Sequence, residues 1–439
     1  MASGTLPFST YHRAQALGEG TYGSVVCVYN DAGEEMALKI FECDEGNETL
    51  ELGTLRELSI LRLLRGSNSH PNIVEMVDVM EPGGEEGDCS NGNLCMAMPL
   101  FRMGDMRQAI KTEIVSPGAA GRKQRVHIAH GLLSAVAFLH DNHIIHRDIK
   151  SDNVMITLAD EDSGDEDNIK PVLIDFSLAK FVDGQNAVLP PGSTHTGEVG
   201  TPTYVAPELV KKESYGLKSD MWSVGVVLLE SLIGELAAEK DKDAARIIEE
   251  KKASLPESPY VNLIRCLLEP DVEKRLSARE ALALPVFEKF NLQPPPVRIF
   301  DIDTALPDED DYDEDGENEN KSNNASKAKS SKQKKLSPRE RLVKKLCCEI
   351  DSKNPKTEAA ALMYAKKMEQ LDDELENISE TQTLLDCIII ANKFYEQELI
   401  DIDNLAEEYP SFQDFDVDTF RDNEVALCSL MDYCLYLRS

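Results

Sequence analysis

The segment Gly18–Val25, with the letters GEGTYGSV, is a GxGxxG motif set between two β-rich runs. A dinucleotide-binding fingerprint would open a helix after its glycines, and a Walker loop would end in Gly-Lys-Ser or Gly-Lys-Thr. Here the run SVVCVYN follows instead, so the motif predicts a glycine hairpin between two strands. Such a hairpin can close its backbone over phosphate groups, although a glycine-rich hairpin by itself is often only a tight turn.

Two charged residues follow the glycine motif in segments of different character. Lys39 lies in the β-rich run EMALKIF, and Glu57 lies in the helical segment Leu50–Arg65. A buried lysine needs a counter-ion. We therefore expect Glu57 to pair with Lys39, which would also hold the α- and β-phosphates of a nucleotide.

A loop and a later tripeptide complete the candidate chemistry. The loop HRDIKSDN carries Asp148, Lys150 and Asn153, and Asp175-Phe176-Ser177 follows it. Asp148 would accept or orient the proton of a substrate hydroxyl, and Lys150 would neutralise charge on the moving phosphoryl group. Asn153 and Asp175 supply the hard oxygen ligands that Mg²⁺ prefers.

Three further motifs follow in order: Ala206-Pro207-Glu208, Asp220-Met221-Trp222 and Arg275. Each alone could be an ordinary solvated or core position, but the whole ordered series points to one chemistry. Over residues 9–290 the chain resembles the eukaryotic protein kinases, and Lys150 after the catalytic aspartate indicates the serine/threonine branch. The resemblance implies ATP and Mg²⁺ as cofactors and Ser/Thr-containing proteins as substrates. It also implies that Arg275 pairs with Glu208.

Within that branch the chain looks most like the cyclin-dependent kinases. GEGTYGSV matches their glycine loop, and Thr54–Ser59 resembles their cyclin-facing helix. The nucleotide-binding residues implied are Leu17, Gly18, Glu19, Gly20, Thr21, Tyr22, Gly23, Ser24, Val25 and Lys39. The regulatory residues implied are Thr21 and Tyr22 for inhibitory phosphate, Thr196 for activating phosphate, and Arg56, Arg147 and Lys180 to bind the latter.

Three departures from that family stand out. Ser177 replaces the glycine after Asp-Phe, which leaves the metal ligand intact. Val205 stands where the family has an arginine, so a preference for proline after the target residue is in doubt. The long insertion after the Trp222 helix is missing, and only a charged helical stretch lies between Ile233 and Ser258.

The helical segments after residue 338 resemble a single cyclin box over about 338–437. Lys393, in IIIANKFYE, and Glu424, in FRDNEV, match the cyclin residues that contact the kinase helix and its preceding loop. The alternative is a plain bundle of amphipathic helices. We expect an α+β bilobal protein kinase fold, with a β-rich N-lobe and a helical C-lobe, followed by an all-α five-helix cyclin-box-like domain.

The predicted boundaries follow changes in composition. The kinase domain covers residues 1–291, with the N-lobe at about 9–100 and the C-lobe at about 101–291. Residues 292–337 form a disordered linker, acidic and then basic, and residues 338–439 form the cyclin-box-like domain. Lys332–Lys335 could be a nuclear import signal, although a solvated tether is the simpler interpretation.

Charge and apolar content exclude several classes of protein. Forty-six Lys and Arg against 80 Asp and Glu give a formal charge of −34, which excludes direct binding of nucleic acid by bulk charge. No apolar run reaches the length of a membrane helix, and the N-terminus lacks the pattern of a secretory signal. Ten scattered cysteines without paired spacing indicate reduced thiols. We expect an intracellular protein of the nucleus, the cytoplasm or both, without a membrane partner.

The sequence therefore predicts an ATP-dependent serine/threonine kinase activated in cis by contact with its own cyclin-like domain. One alternative is a pseudokinase scaffold, in which Ser177 marks lost catalysis. Another is an active kinase whose C-terminal bundle only docks substrates.

Overall fold

The chain divides into two compact units, Met1–Phe300 and Asp301–Ser439. The fold is taken from a computed structural model. It describes residues 11–20, 23–30, 33–41, 50–80, 93–116, 121–160, 168–182, 189, 202–234, 236, 241–300, 338–349, 355–370, 380–395, 402, 405, 409, 412 and 415–430. The predicted linker from residue 301 to 337 lies outside these ranges.

The first unit begins with a five-stranded antiparallel sheet in the order β1-β2-β3-β5-β4. Its strands are β1 (Tyr11–Gly20), β2 (Gly23–Asn30), β3 (Glu35–Phe41), β4 (Asp78–Met80) and β5 (Leu94–Pro99). Alternating apolar residues of β2 and β3 point to one face, as the two-residue period of a strand requires. That face forms a core with Tyr11, Val26, Val28, Leu38, Ile40, Met80, Cys95 and Ala97.

The helix α1 (Leu52–Leu63) lies between β3 and β4 in the chain. Its Leu55, Leu58 and Ile60 side chains are fully buried. The predicted helical segment Leu50–Arg65 is confirmed to within two residues at each end, which is the usual uncertainty of helix boundaries. The sheet and α1 together form the predicted N-lobe.

The rest of the first unit is mainly helical. Its helices are α2 (Met106–Lys111), α3 (Arg122–Asp141), α4 (Pro207–Val210), α5 (Lys218–Ile233), α6 (Asp241–Ser254), α7 (Pro259–Leu267), α8 (Ala278–Leu282) and α9 (Pro285–Glu288). Two short antiparallel pairs complete it: β6 (Ile144–Ile145) with β9 (Lys180–Phe181), and β7 (Val154–Leu158) with β8 (Ile169–Leu173). The charged helical stretch predicted after Ile233 is α6.

Local sequence explains where several of these helices begin. Asp105 accepts a hydrogen bond from the Gln108 backbone N–H at the start of α2, and Ser258 caps α7 in the same way, with Pro259 at its first position. Ser277 and Glu280 form a reciprocal capping box at α8. Each cap satisfies a backbone donor that the helix itself leaves without a partner.

Residues 292–300 correct the predicted linker boundary. They lie against the first unit: Leu292 N–H donates to Phe287 O, Gln293 O contacts His130 Nε2, and Asn142 Nδ2 donates to Arg298 O. A proline-rich stretch has no hydrophobic periodicity, so the sequence suggested a disordered tether. The contacts of this stretch are made largely through backbone carbonyls, which leave no sequence pattern.

The second unit is helical in its described part. It contains α10 (Pro338–Glu349), α11 (Pro355–Gln370), α12 (Glu380–Tyr395) and α13 (Val417–Leu430). The helix α12 is buried on nearly every side from residue 382 to 392, with Ile388, Ile390 and Ala391 fully buried. These four helices have both ends within the described residues; Leu405, between α12 and α13, is also helical, so the five helices that the cyclin-box resemblance implies stay a prediction. Among the described helices of both units, none combines the length and apolarity needed to cross a bilayer.

Candidate active site

The glycine motif lies at the turn between β1 and β2. The two strands pair through Gly18 and Val25, Glu19 and Ser24, and Gly20 and Gly23, which confirms the predicted hairpin. Gly23 has a φ of 133°, a value that glycine adopts without the strain other residues would incur. Leu17 is 43% exposed, and Thr21 and Tyr22 lie outside the described residues.

Lys39 joins three elements of the first unit. Its Nζ lies 2.6 Å from Glu57 Oε2 on α1 and 3.8 Å from Asp175 Oδ1. Glu57 is buried, and burial raises the pKa of its carboxyl while Lys39 opposes that shift. The predicted Lys39–Glu57 pair is therefore confirmed, and Asp175 lies beside it.

Asp175 has a positive φ of 61°, unusual for a residue with a side chain. Ser177 supports this conformation, since its Oγ and its backbone N–H both donate to Asp175 Oδ1, at 2.6 and 3.2 Å. Burial alone would raise the pKa of Asp175, but Lys39 and Ser177 outweigh it and hold the pKa below its usual value. Asp175 is thus ionised and oriented, and the serine that replaces the family's glycine contributes directly to both.

The loop that carries Asp148 is closed by hydrogen bonds to one carboxylate oxygen. Asp148 Oδ2 accepts from Lys150 Nζ at 2.7 Å and from Asn153 Nδ2 at 2.8 Å. Asn153 Nδ2 also donates to the Asp148 backbone carbonyl at 2.9 Å. Burial raises the pKa of Asp148, and Lys150 opposes that shift only in part. A raised pKa suits a carboxylate that accepts a proton.

Asn153 and Asp175 are brought together by the backbone, because Ile174 N–H donates to Asn153 O at 3.0 Å. Asn153 donates through Nδ2, which leaves its amide oxygen as an acceptor. No cluster of three or more His, Cys, Asp or Glu able to hold a metal occurs in the described residues. Two oxygens fit a Mg²⁺ ion, which keeps waters and substrate phosphates in its shell and needs only one or two protein ligands.

The buried Asp220 orients the loop that carries Asp148. Asp220 of α5 accepts from the backbone N–H groups of His146 and Arg147, at 2.8 and 2.9 Å, and contacts His140 Nε2 at 3.0 Å. Arg147 has a φ of 70°, so these bonds stabilise a strained backbone. His146 in turn packs edge-on against Phe176, with ring centroids 4.8 Å apart. Asp220 and His146 thus support both halves of the site; the sequence marked Asp220 only as a member of the motif series.

A second polar network was missed from the sequence. Arg107 of α2 donates to both carboxylate oxygens of Asp152, at 2.9 and 2.8 Å, and to Tyr204 Oη at 3.2 Å. Tyr204 and Ser151 both donate to the buried carboxylate of Glu230. The network ties the loop after Asp148 to α2, α5 and the turn before α4. Ser151 and Asp152 lie in the HRDIKSDN loop, but their partners Arg107, Tyr204 and Glu230 are distant in sequence, so only the fold reveals these contacts.

The predicted pair of Glu208 and Arg275 is confirmed. Arg275 is fully buried and donates to both oxygens of Glu208, at 2.8 and 2.9 Å. It also donates to Glu269 O and Lys218 O, and its guanidinium lies over the Trp222 ring at 5.3 Å. Each of the three guanidinium nitrogens donates at least one hydrogen bond, and such pairing is the condition under which a buried charge is tolerated.

The regulatory residues are described in part. Lys180 pairs with Ile145 between β9 and β6, and Ile145 lies two residues before Arg147 in the chain. Arg56 directly precedes Glu57 on α1. Thr196 lies outside the described residues, so its phosphorylation stays a prediction.

Lys393 and Glu424 pair with each other inside the second unit. Lys393 Nζ lies 2.9 Å from Glu424 Oε1, and the Glu424 side chain is 1% exposed. The resemblance to a cyclin box predicts that Lys393 and Glu424 each contact the kinase helix or its preceding loop. Within the unit they join α12 to α13.

Comparison with known proteins agrees with this geometry. Residues 11–287 match the family model described as "Protein kinase domain". The chain is 32% identical over 305 residues to the human (Homo sapiens) phosphorylase b kinase gamma catalytic chain, liver/testis isoform. The aligned region covers 64% of this chain and 67% of that protein. It is 30% identical over 285 residues to serine/threonine-protein kinase PAK 1 of Mus musculus, covering 63% and 46% of the two chains. It is 31% identical over 272 residues to serine/threonine-protein kinase atg1 of Dictyostelium discoideum, covering 60% and 36%. None of these three is named as a cyclin-dependent kinase.

Proposed function

This chain belongs to the protein kinase domain family and is a serine/threonine protein kinase; from that premise, we propose that it transfers the γ-phosphoryl group of ATP to protein hydroxyls with Mg²⁺ as the cation. The observation that carries the proposal is the convergence of Lys39, Glu57 and Asp175 on one side of the site with Asp148, Lys150 and Asn153 on the other. When bound, ATP would supply the phosphoryl group, and its cation would neutralise the negative charge on that group.

The two carboxylate oxygens of Asp148 have different roles. Oδ2 is occupied by Lys150 and Asn153, whereas Oδ1 has no hydrogen-bond partner among the described residues. Oδ1 is therefore the oxygen that would accept the hydrogen of a substrate hydroxyl and orient its oxygen for attack. Lys150 Nζ, held at the same carboxylate, would balance the negative charge that develops nearby.

Lys39 would bind phosphate oxygens, and Glu57 keeps its ammonium group aimed into the site. Asp175 and Asn153 would hold the cation through oxygens that the Ser177 and Ile174 contacts keep in place. These residues bind and orient, which is the main contribution of a protein to phosphoryl transfer.

The test is transfer of labelled phosphate from Mg-ATP to a generic protein substrate by the full chain, with phosphoamino acid analysis of the product. Label on serine or threonine, lost in Asp148→Asn, would support the proposal. Nucleotide binding without transfer by the intact, folded chain would overturn it and favour the pseudokinase scaffold.

We further propose that the second unit activates the kinase in cis, because the sequence resembles a cyclin-dependent kinase followed by a cyclin box. The likeness of Thr54–Ser59 to a cyclin-facing helix and the four helices α10 to α13 of the second unit support this proposal. A tether raises the local concentration of the second unit to about millimolar, so activation would be independent of protein concentration.

A protease site inserted between residues 321 and 330 tests the tether in the full chain. Cleavage followed by dilution should lower phosphorylation of a short peptide, while the same protease should leave the unmodified chain unchanged. Equal activity before and after cleavage and separation would overturn activation in cis. A change confined to protein substrates would instead favour a docking bundle.

A further inference from the structure

Residues 292–300, the strap, follow the last helix of the first unit and have no regular secondary structure. The middle of the strap contacts α8, because Arg279 donates to the Pro295 and Pro296 carbonyls while also pairing with Asp141. The last residues of the strap contact Asn142, which directly follows α3. Asn142 Nδ2 donates to Arg298 O at 2.9 Å, and Asn142 Oδ1 accepts from Phe300 N–H at 2.7 Å.

This two-point contact fixes which way the strap side chains face. Arg298 lies over the Phe138 ring at 5.3 Å, and Phe300 meets the same ring edge-on at 5.4 Å. The alternate residues Val297 and Ile299 are 63% and 66% exposed. Arg298 and Phe300 therefore contact the first unit, although Arg298 is also exposed to solvent, and Val297 lies on the outer face of the same strap.

The Arg298 guanidinium reaches beyond α3 to the loop that follows α1. Nη1 donates to Ser69 O at 3.1 Å, and Nη2 donates to Ser67 O at 2.5 Å. A guanidinium presents donors in a rigid fork and can serve two carbonyls at once, which an ammonium group on a flexible stem does less well. Both acceptors belong to the backbone, so the contact depends on Arg298 rather than on the two serine side chains.

The loop that Arg298 contacts leads from α1 to β4 in the chain, and further along it is hydrogen-bonded to β8, the strand before Asp175. Leu64 ends α1 with hydrogen bonds to Ile60 and Leu61, and the turn Gly66–Asn68 follows directly. Further along, Leu173 N–H donates to Asn72 O and Val74 N–H donates to Leu173 O, both at 2.9 Å. The end of α1 is thus anchored to β8 on one side and to the strap on the other.

Glu57 lies two helical turns before Leu64 on this anchored helix, and it must face Lys39 for the site to function. We propose that Arg298 is a positioning residue for phosphoryl transfer: it holds the loop after α1 and thereby favours the inward position of Glu57. The inference rests on the proposed kinase function. It also moves the functional end of the kinase unit from residue 291 to Phe300.

The test compares full-chain variants in peptide phosphorylation and in hydrogen exchange. Arg298→Ala should lower kcat by about threefold to tenfold, since charge-assisted hydrogen bonds of this kind, partly exposed here, are lost. The KM for the peptide should stay unchanged. Arg298→Lys should recover part of the loss, and Phe300→Ala should act in the same direction as Arg298→Ala. Val297→Ala, on the outer face, is the matched control and should behave as wild type.

Hydrogen exchange separates positioning from general loss of stability. In Arg298→Ala, faster exchange should be confined to α1 and residues 65–69, with the melting temperature of the first unit unchanged. Wild-type kcat in Arg298→Ala, or faster exchange spread over the whole unit, would overturn the proposal. If the wild-type chain transfers no phosphate, the kinase function fails, but local exchange at α1 would still report whether Arg298 holds the helix.

Discussion

Lys150 Nζ and Asn153 Nδ2 both bind the same oxygen of Asp148, at 2.7 and 2.8 Å. One carboxylate oxygen is thereby used to fix the loop, and the other is left for a hydroxyl. Asp148→Asn should lower kcat by about 10²–10⁴-fold, the range for loss of a general base. Nucleotide affinity, measured by calorimetry, should change little. The exposed Asp271→Asn is the matched control, and turnover near the wild-type rate in Asp148→Asn would contradict the role of Asp148.

Lys39 and Glu57 should act as a unit. Lys39→Met should lower kcat/KM for ATP by about 10²-fold, because a preorganised cation at the phosphates is lost. Glu57→Gln should have a smaller effect in the same direction, and the double variant should be no worse than Lys39→Met alone. Steady-state kinetics of the three variants checks this, and strictly additive losses would show that the two side chains work separately.

Arg275→Met should destabilise the first unit by about 3–5 kcal/mol, since Glu208 would keep a buried, unpaired charge. Thermal unfolding of the full chain measures this loss. Replacing both partners, as Glu208→Leu with Arg275→Met, should restore part of the stability because no isolated charge is left. A double variant less stable than the single one would contradict this account.

His70 should make the first unit sensitive to acid. Burial, together with the charges of Arg298 and Arg279, lowers its pKa to about 4, against 6.5 for the free side chain. Between pH 6.5 and pH 4 the unfolded chain binds a proton that the folded chain does not, so stability falls as the pH falls through this window. The shift in the pKa of His70 corresponds to about 3 kcal/mol of unfolding free energy at most. This stability is fully present above pH 6.5 and is lost as the pH falls to 4.

Melting temperatures from pH 4 to pH 7.5 test this prediction against His70→Gln, which cannot titrate. The wild-type curve should rise more steeply with pH than that of the variant. Parallel curves would assign the acid sensitivity to other groups.

Phosphate on Thr196 should activate the chain through Arg56, Arg147 and Lys180. Each charge-assisted contact contributes roughly 1.5–3 kcal/mol, so Thr196→Ala should lower activity at least about tenfold after treatment with an activating kinase. Ser193→Ala, in the same segment, is the control. Equal activity of Thr196→Ala and wild type under that treatment would remove the prediction.

Several parts of the site could be predicted because short motifs carry them. The candidate roles of Asp148, Asn153 and Asp175 come from two short motifs, the HRDIKSDN loop and the tripeptide Asp175-Phe176-Ser177, and the pairs Lys39–Glu57 and Glu208–Arg275 follow from the resemblance that these motifs carry. The network of Arg107, Asp152, Tyr204 and Glu230 could not be predicted in this way. Its members come from α2, α5 and two loops, and an ion pair between distant polar residues leaves no periodic signal.

The amino-acid sequence by itself determined the order of the candidate catalytic residues, the strands around the glycine motif and the presence of a domain boundary, which it placed at residue 291. These depend on local chemistry: glycines that permit a tight turn, alternating apolar residues, and a change from apolar periodicity to charge. Only the tertiary structure decided that residues 292–300 belong to the first unit and that Arg298 reaches the loop after α1. That contact joins an arginine to two backbone carbonyls more than 200 residues earlier, and carbonyl groups are the same in every residue, so their position is known only once the chain has folded.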